Sequence, residues 1–321
     1  MQACLLRFQI LLAPAPTRPA FRRICNTSHK TKKQATTNSN LPTNSTNTST
    51  IPHTMKFTAP NVALFLLAAL QATATSVHAT RFCKEHGALI PVTVVSATSP
   101  DADGLKDGFE VFRDLLGGEN NGNGAAPSAE GHRQVNWDAP IVPFDMPGDF
   151  FATTVDRGLN LRSKRDEFRV SNPDPKDGPK DDLFDSISPR AAKDFQTFSA
   201  FRLFTVAGGD NEFVAEFTVP GSHKEATVAG FGAVLVDVDL SHKTTLTFYA
   251  DSGCIIAQED AKALKDGLSF VGLVSQSEKF PIAKVEVELG TKAIDDTSRF
   301  RGFADFVVMD DFLYSEPQEL H

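Results

Sequence analysis

No aspartate or glutamate precedes Glu85. Residues 1–79 hold eight of the 32 Lys/Arg and none of the 40 Asp/Glu, which leaves 24 bases against 40 acids, a formal charge of −16, on residues 80–321. That balance denies the chain a basic footprint for nucleic-acid phosphates or anionic lipid. It favours solubility and loosely held divalent cations. Long apolar runs are missing too: Val62–Leu70 has nine residues, against the roughly twenty that cross a bilayer. Tryptophan occurs once and tyrosine twice beside 26 phenylalanines, so a sugar platform of exposed Trp or Tyr has few residues to draw on. Nucleophile elbows of the Gly-x-Ser-x-Gly kind, CxxC pairs, HxxxH or HxH pairs and a glycine-rich phosphate loop before a helix are all absent. Of the histidines after residue 79 (His86, His132, His223, His242 and His321), His132, close to Asp138, is the one of interest. It is expected to be an exposed turn residue.

The acid-free stretch carries a targeting signal. Met55-Lys56 opens a short basic region, Val62–Leu70 supplies the apolar segment, and Val77-His78-Ala79 places small residues where a signal peptidase reads. Residues 55–79 are therefore expected to be a cleaved export signal, with a working chain of Thr80 to His321 that is secreted and has no membrane span. Residues 1–54 admit three readings: a gene-model extension ahead of the true start, a transit peptide that makes the presequence bipartite and leads to an organelle lumen, or an unusually long basic region. Residues 26–54 are nearly all Thr, Ser, Asn, Lys and Pro and bury too little apolar area to order themselves. The sequons at Asn26, Asn44 and Asn47 matter only if that segment is translocated. Of four cysteines, Cys4 and Cys25 precede Met55. In an oxidising compartment the remaining two, Cys83 and Cys254, suggest a bridge tying the mature N-terminus to the body. Two unpaired thiols are the alternative.

Residues 80–125 are expected to form an N-terminal extension. Pro91-Val92-Thr93-Val94-Val95-Ser96 is extended, and Leu105, Phe109, Phe112 and Leu116 fall on one helical face. Gly117-Gly118 stops that helix, and Asn120-Asn121-Gly122-Asn123-Gly124 is a loop. From residue 126 onward the chain alternates in short strands at roughly ten-residue spacing, which predicts an all-β domain, an antiparallel β-sandwich of jelly-roll-like character. Glu212–Val219, Ala233–Leu240, Thr244–Ala250, Leu268–Val274, Ile282–Leu289 and Phe303–Tyr314 are the main strands. Asp251-Ser252-Gly253 is a hairpin turn.

The last strand carries the most unusual chemistry. Alternation places Phe306, Val308 and Phe312 on one face with Asp310, and Val307, Met309 and Leu313 on the other with Asp311. Both faces are apolar, so at least one carboxylate is poorly solvated, and such a group neutralises, finds donors or binds a cation such as calcium. Asn136-Trp137-Asp138 follows the short strand Gly131–Val135, which opens the sandwich. First and last strands of such sandwiches are often neighbours, which would bring Asn136 and Asp138 to Asp310 and Asp311 as a hard-cation set. Hydrogen-bonded carboxylates with Trp137 in the core are the simpler alternative. Asp237 and Asp239 project from one strand about 7 Å apart, an acid/base spacing that a solvated face explains as well. Asp101-Ala102-Asp103-Gly104 begins like an EF-hand loop but has Leu105 and Phe112 where ligands belong. Asp174–Asp182 is a charged, proline-rich surface loop and at most a weak cation site.

Several segments together resemble a known set. They are Asn120-Asn121-Gly122 with Gly131-His132-Arg133-Gln134-Val135-Asn136-Trp137-Asp138; Pro147-Gly148-Asp149-Phe150-Phe151 with Arg157-Gly158-Leu159; Ala229 through Asp239; Leu268-Ser269-Phe270-Val271-Gly272; and Asp310-Asp311-Phe312-Leu313-Tyr314-Ser315-Glu316-Pro317. Their order, over about residues 105–317, resembles an uncharacterised family of exported proteins, some bacterial members of which carry a PEP-CTERM sorting tail. The resemblance implies export and compact β architecture and assigns no catalytic residue. This sequence lacks the tail's second apolar segment and basic cluster, so anchoring of that kind is not expected.

Three functional classes follow. The first is a non-catalytic binding or surface-associated module, with a glycan or a matrix or wall component as partner, Trp137 as a contact and calcium as a structural ion. The second is a secreted polysaccharide hydrolase or lyase using Asp237, Asp239 and Asp138. The third is a structural wall or matrix protein. A concave groove of carboxylates favours the enzyme and a flat apolar or aromatic face favours the binder.

Overall fold

Alternating apolar residues, broken every few positions by Gly, Asp or Pro, pair into two antiparallel sheets. The structure, a computed structural model, describes Cys83 and residues 90–124, 128–171, 182–296 and 303–320. The expected leader and export signal, the sequons, His86, His321 and residues 174–181 lie outside these. The described residues run through β1 (Val92–Ser99), α1 (Ala102–Leu116), β2 (His132–Val135), β3 (Asp145–Met146), α2 (Phe150–Thr153), β4 (Leu159–Arg162) and β5 (Phe168–Val170). They continue through β6 (Phe204–Val206), β7 (Glu212–Thr218), β8 (Glu225–Thr227), β9 (Gly230–Val238) and β10 (Thr245–Ala250). The last strands are β11 (Ile255–Asp260), β12 (Leu264–Ser275), β13 (Ile282–Glu288), β14 (Val308–Ser315) and β15 (Gln318–Glu319).

The first sheet runs β1-β12-β9-β14-β6-β5-β3, with β2 also on β14; the second runs β11-β10-β13-β7-β8-β15, with β4 also on β7. The sandwich expectation holds, as does the adjacency of its opening and closing strands, since Val135 pairs with Phe312. One core, rich in Phe, fills the space between the sheets. A second lies on the other side of the first sheet, under α1 and the segment containing Phe184, Ala191, Phe195 and Leu203. Buried on both faces, β9 and β14 read as near-continuous apolar runs.

Helix α1 forms where the periodicity places it. Asp101, the start of the failed EF-hand pattern, is its N-cap and accepts a hydrogen bond from Gly104 N, while Gly117 ends it at φ 74°. Leu105, Phe109 and Phe112 are its buried face. Phe112 sits over paired glycines: Gly272 lies opposite Gly232 on β12 and β9, and a Cβ at Gly272 would come within 2.6 Å of the Phe112 ring. The boundary drawn at residue 125 does not hold. β1 pairs with β12 over all eight residues, Val92↔Ser275 through Ser99↔Leu268, and α1 packs on the same sheet. Residues 90–124 therefore belong to the sandwich; the extended run found its partner far along the chain, which local pattern does not reveal.

Candidate functional site

Asp310 and Asp311 sit on a β-bulge. Along β14 the partners on β9 run Val308↔Val236 and Met309↔Leu235, then resume at Phe312↔Ala233, so two aspartates face Val234 alone. The extra residue shifts the alternation that follows. Met309, Phe312 and Tyr314 all enter the inter-sheet core, and Val308 and Leu313 the outer one. The expected grouping of Phe312 with Val308, and of Leu313 with Met309, is thus reversed beyond the bulge. On its other side β14 pairs with β6 at Met309↔Phe204 and with β2 from Phe312 onward. The aspartates lie where one neighbour ends and the next begins.

That gap is filled by two loops. Trp137, at φ 63°, stacks on Phe204 with ring centroids 4.3 Å apart and donates its indole N–H to Asp310 O at 2.9 Å. The bulge frees this carbonyl from the ladder, and the indole satisfies it. Trp137 is 1% exposed, so it is a core residue and not a sugar contact. From the second loop, Phe198 N and Ser199 N donate to Asp310 Oδ2 at 2.6 and 3.2 Å, and Arg202 N donates to Asp138 Oδ1 at 3.1 Å. The Arg202 side chain donates back to Trp137 O and Val142 O, which locks the loops together.

Three carboxylates converge on one hydroxyl. Ser199 Oγ lies 2.7 Å from Asp311 Oδ1, 3.1 Å from Asp310 Oδ1 and 3.4 Å from Asp138 Oδ2. Gln134 Nε2 also donates to Asp311 Oδ2. A serine has one hydrogen to give, so three ionised carboxylates cannot all be satisfied by it. Burial, and then the Asp311 charge, hold Asp310 well above the usual carboxylate range. Burial also raises Asp311, against hydrogen bonds that lower it, and pushes half-buried Asp138 up to about 6. The structure thus brings together Asp138, Asp310 and Asp311 of the expected set. Asn136 stays half-buried beside them, outside these hydrogen bonds. All the donors are hard oxygens suited to calcium, but Ser199 Oγ stands at their centre, and it would have to ligate the ion or turn aside.

The other carboxylates fall elsewhere. Asp237 is 5% exposed rather than on a solvated face. It adopts φ 61° opposite Lys265-Asp266-Gly267, where the β9–β12 register skips from Val236↔Leu268 to Val238↔Leu264. Val238 consequently joins the inter-sheet core while Val234 and Val236 face the outer one. Asp237 Oδ1 accepts from Asp266 N at 2.8 Å, and burial pushes its carboxyl up to about 6. Among the described residues, Asp194, Asp237 and Asp266 are the group of three whose oxygens approach within 4.8 Å of one another. Asp239 instead lies 3.6 Å from Lys265 Nζ.

A second polar centre escaped the sequence. Arg133 and Glu316 form an ion pair with side chains 0% and 1% exposed. Arg133 Nε and Nη2 donate to Glu316 at 2.7 and 2.8 Å. Its remaining N–H groups reach Gly122 O, Gly124 O and Asp156 O at 3.2, 2.9 and 2.7 Å. Glu316 also accepts from Asn121 Nδ2 at 2.9 Å, so the Asn/Gly loop is strapped to the end of β14. His132, expected in an exposed turn, is buried at the start of β2, with Nδ1 3.3 Å from Gly117 O. A cavity of about 360 Å³ between Leu116, Glu130, Gly131 and Gln318 holds none of the anticipated site residues. Cys83 and Cys254 form a disulfide closing a separation of 171 residues.

No family model, curated protein or solved structure matches the chain.

Proposed function

We propose that this chain is an exported, non-catalytic β-sandwich module that works by binding, with a glycan or a matrix or wall component as partner. One observation carries the reading: the carboxylates best placed for chemistry, Asp310 and Asp311, are each 0% exposed and committed to internal donors. They hold loops onto a strand instead of lining a cleft that a substrate enters. The Cys83–Cys254 bridge suits an oxidising compartment, and the ordered segments that resemble the exported family support the same destination. With Trp137 and Tyr314 buried, the binding face falls to the outer side of the second sheet. There Tyr249 donates to Glu286 and lies under Lys284, whose Nζ is 4.3 Å from the ring centroid.

Glycan-array binding by the purified protein is the test. Binding to a polysaccharide class that weakens at least tenfold in Tyr249→Ala supports the reading; a protein that binds none and cleaves one overturns it. Calcium is the candidate structural ion at Asp138, Asp310 and Asp311. A melting curve unmoved by EDTA or added calcium removes it from the proposal. Asp237 favours the hydrolase or lyase reading: it pairs a carboxyl raised to about 6 with Asp194 and Asp266 close by. Polysaccharide cleavage abolished in Asp237→Asn would establish that alternative.

A further inference from the structure

Among the described residues, the first sheet ends in a long strand that carries no edge protection in its own sequence. β1 is paired with β12 on one side and has no second strand among the described residues. The other three sheet ends are protected in ways common to natural edges. β3 and β15 are two residues long. β11 carries Glu259 and Asp260, has a register shift against β10, and meets Cys83 N at Ile255 O. β1 has eight residues, Val-Thr-Val-Val-Ser-Ala-Thr-Ser, with no charge, proline or bulge.

Its free hydrogen-bonding groups can be named. Gln276 N donates to Pro91 O, so Pro91 and Gln276 are a hydrogen-bonded pair. With Val92 opposite Ser275, the bonded pairs that follow are Thr93↔Val274, Val95↔Gly272, Ala97↔Phe270 and Ser99↔Leu268. Ser275 N donates to Ala229 O on the far side of β12, which fixes the same alternation independently. The N–H and C=O of Val92, Val94, Ser96 and Thr98 therefore point away from the sheet. Among the described residues one contact meets this row, from Lys262 Nζ, 3.4 Å from Ser96 O.

We propose that β1 is a strand-addition edge and that its occupant is a second copy of this chain, joined antiparallel about a two-fold axis at Val95. The row is self-complementary in that arrangement. Val92 meets Thr98 of the copy and Val94 meets its Ser96, so all four outward residues of each copy are used and both first sheets become continuous. Every cross-strand neighbour is then small or β-branched and uncharged, which suits close strand pairing. Nearby α1 carries Asp103, Asp107, Glu110 and Asp114 against Lys106 and Arg113, so two copies repel through their helices and salt should strengthen the dimer.

Light scattering after size exclusion tests this on the purified protein at high concentration in low and high salt. The expected result is a doubling of mass that high salt promotes, with amide exchange slowed at Val94 and Ser96 and unchanged at Val95. Val94→Pro removes a donor that β12 does not use, and Thr98→Lys places a charge at an exposed position of the edge. Each should return the monomer mass with an unchanged circular dichroism spectrum; if the proline variant misfolds, the lysine variant decides. A monomer at every concentration and salt overturns the proposal. So does a dimer that both folded variants leave intact, or one whose protected amides lie outside β1.

Discussion

Ser199 is the residue on which the carboxylate set turns. Its hydroxyl is the shared donor for acids from β14 and from the loop after β2, and protons must make up the deficit. The sign of the pH effect follows. Asp138 and Asp237 have folded values of about 6 against an ordinary 3.8, so the folded state binds protons that the unfolded chain has already released. Their contribution to stability is full below about pH 4, declines as pH rises to about 6, and stays lost above it. Urea denaturation from pH 4 to 7 should show stability falling across that window, with a shallower fall in Asp138→Asn. Ser199→Ala leaves buried acceptors without their donor and should cost about 1–3 kcal/mol in the same measurement. The Asp310-Asp311 pair and Asp138 were legible as buried chemistry because acids on a two-sided apolar strand need an explanation. Ser199 was not, since a lone loop serine has no pattern of its own and its partners lie more than 60 positions away. Arg133 and Glu316 stayed hidden for the same reason: a charged residue in a short strand looks solvated until its partner is known.

Among the elements, α1 and the bulged strands divide what local sequence reveals from what it hides. The helix was written in four apolar residues and two punctuating glycines, and it formed there. Its docking was not, because it depends on two glycines that face each other on strands 40 residues apart. Gly272→Ala would drive a Cβ into the Phe112 ring at 2.6 Å. Overpacking of this kind costs about 1–3 kcal/mol. Denaturation should show that loss, and faster amide exchange in α1 should show the helix lifting first. Local pattern locates β9 and β14, though β14 starts at Val308 and not at Phe303, and strict alternation does not give their faces. An extra residue in one strand reverses every face after it, and only the partner's register exposes the insertion. The Asp310-Asp311 pair lies at such an insertion, while Asp237, at φ 61°, faces three residues of β12, which is why each ended in an environment other than the one alternation gave it.

At the scale of the molecule, the disulfide joins the outermost strand of one sheet to the chain that leads into the outermost strand of the other. Cys83 N donates to Ile255 O at 3.1 Å, and β1 begins at Val92. Cys83→Ser with Cys254→Ser should lower stability by about 2–4 kcal/mol, read from denaturation under non-reducing conditions. Mass mapping of the native protein should find the bridged peptide, and an N-terminus at Thr80 would establish the export cleavage. The bridge also decides how the fold bears mechanical load. A pull on the chain ahead of Cys83 passes through the sulfur–sulfur bond to Cys254 and so bypasses β1, whose ladder would otherwise unzip one bond at a time. The chain between the two cysteines, a sequence separation of 171, stays inside a closed ring and contributes nothing to the length a stretched molecule can yield. A module tethered by its N-terminus would keep β1 on its sheet under tension, and would lose that protection on reduction.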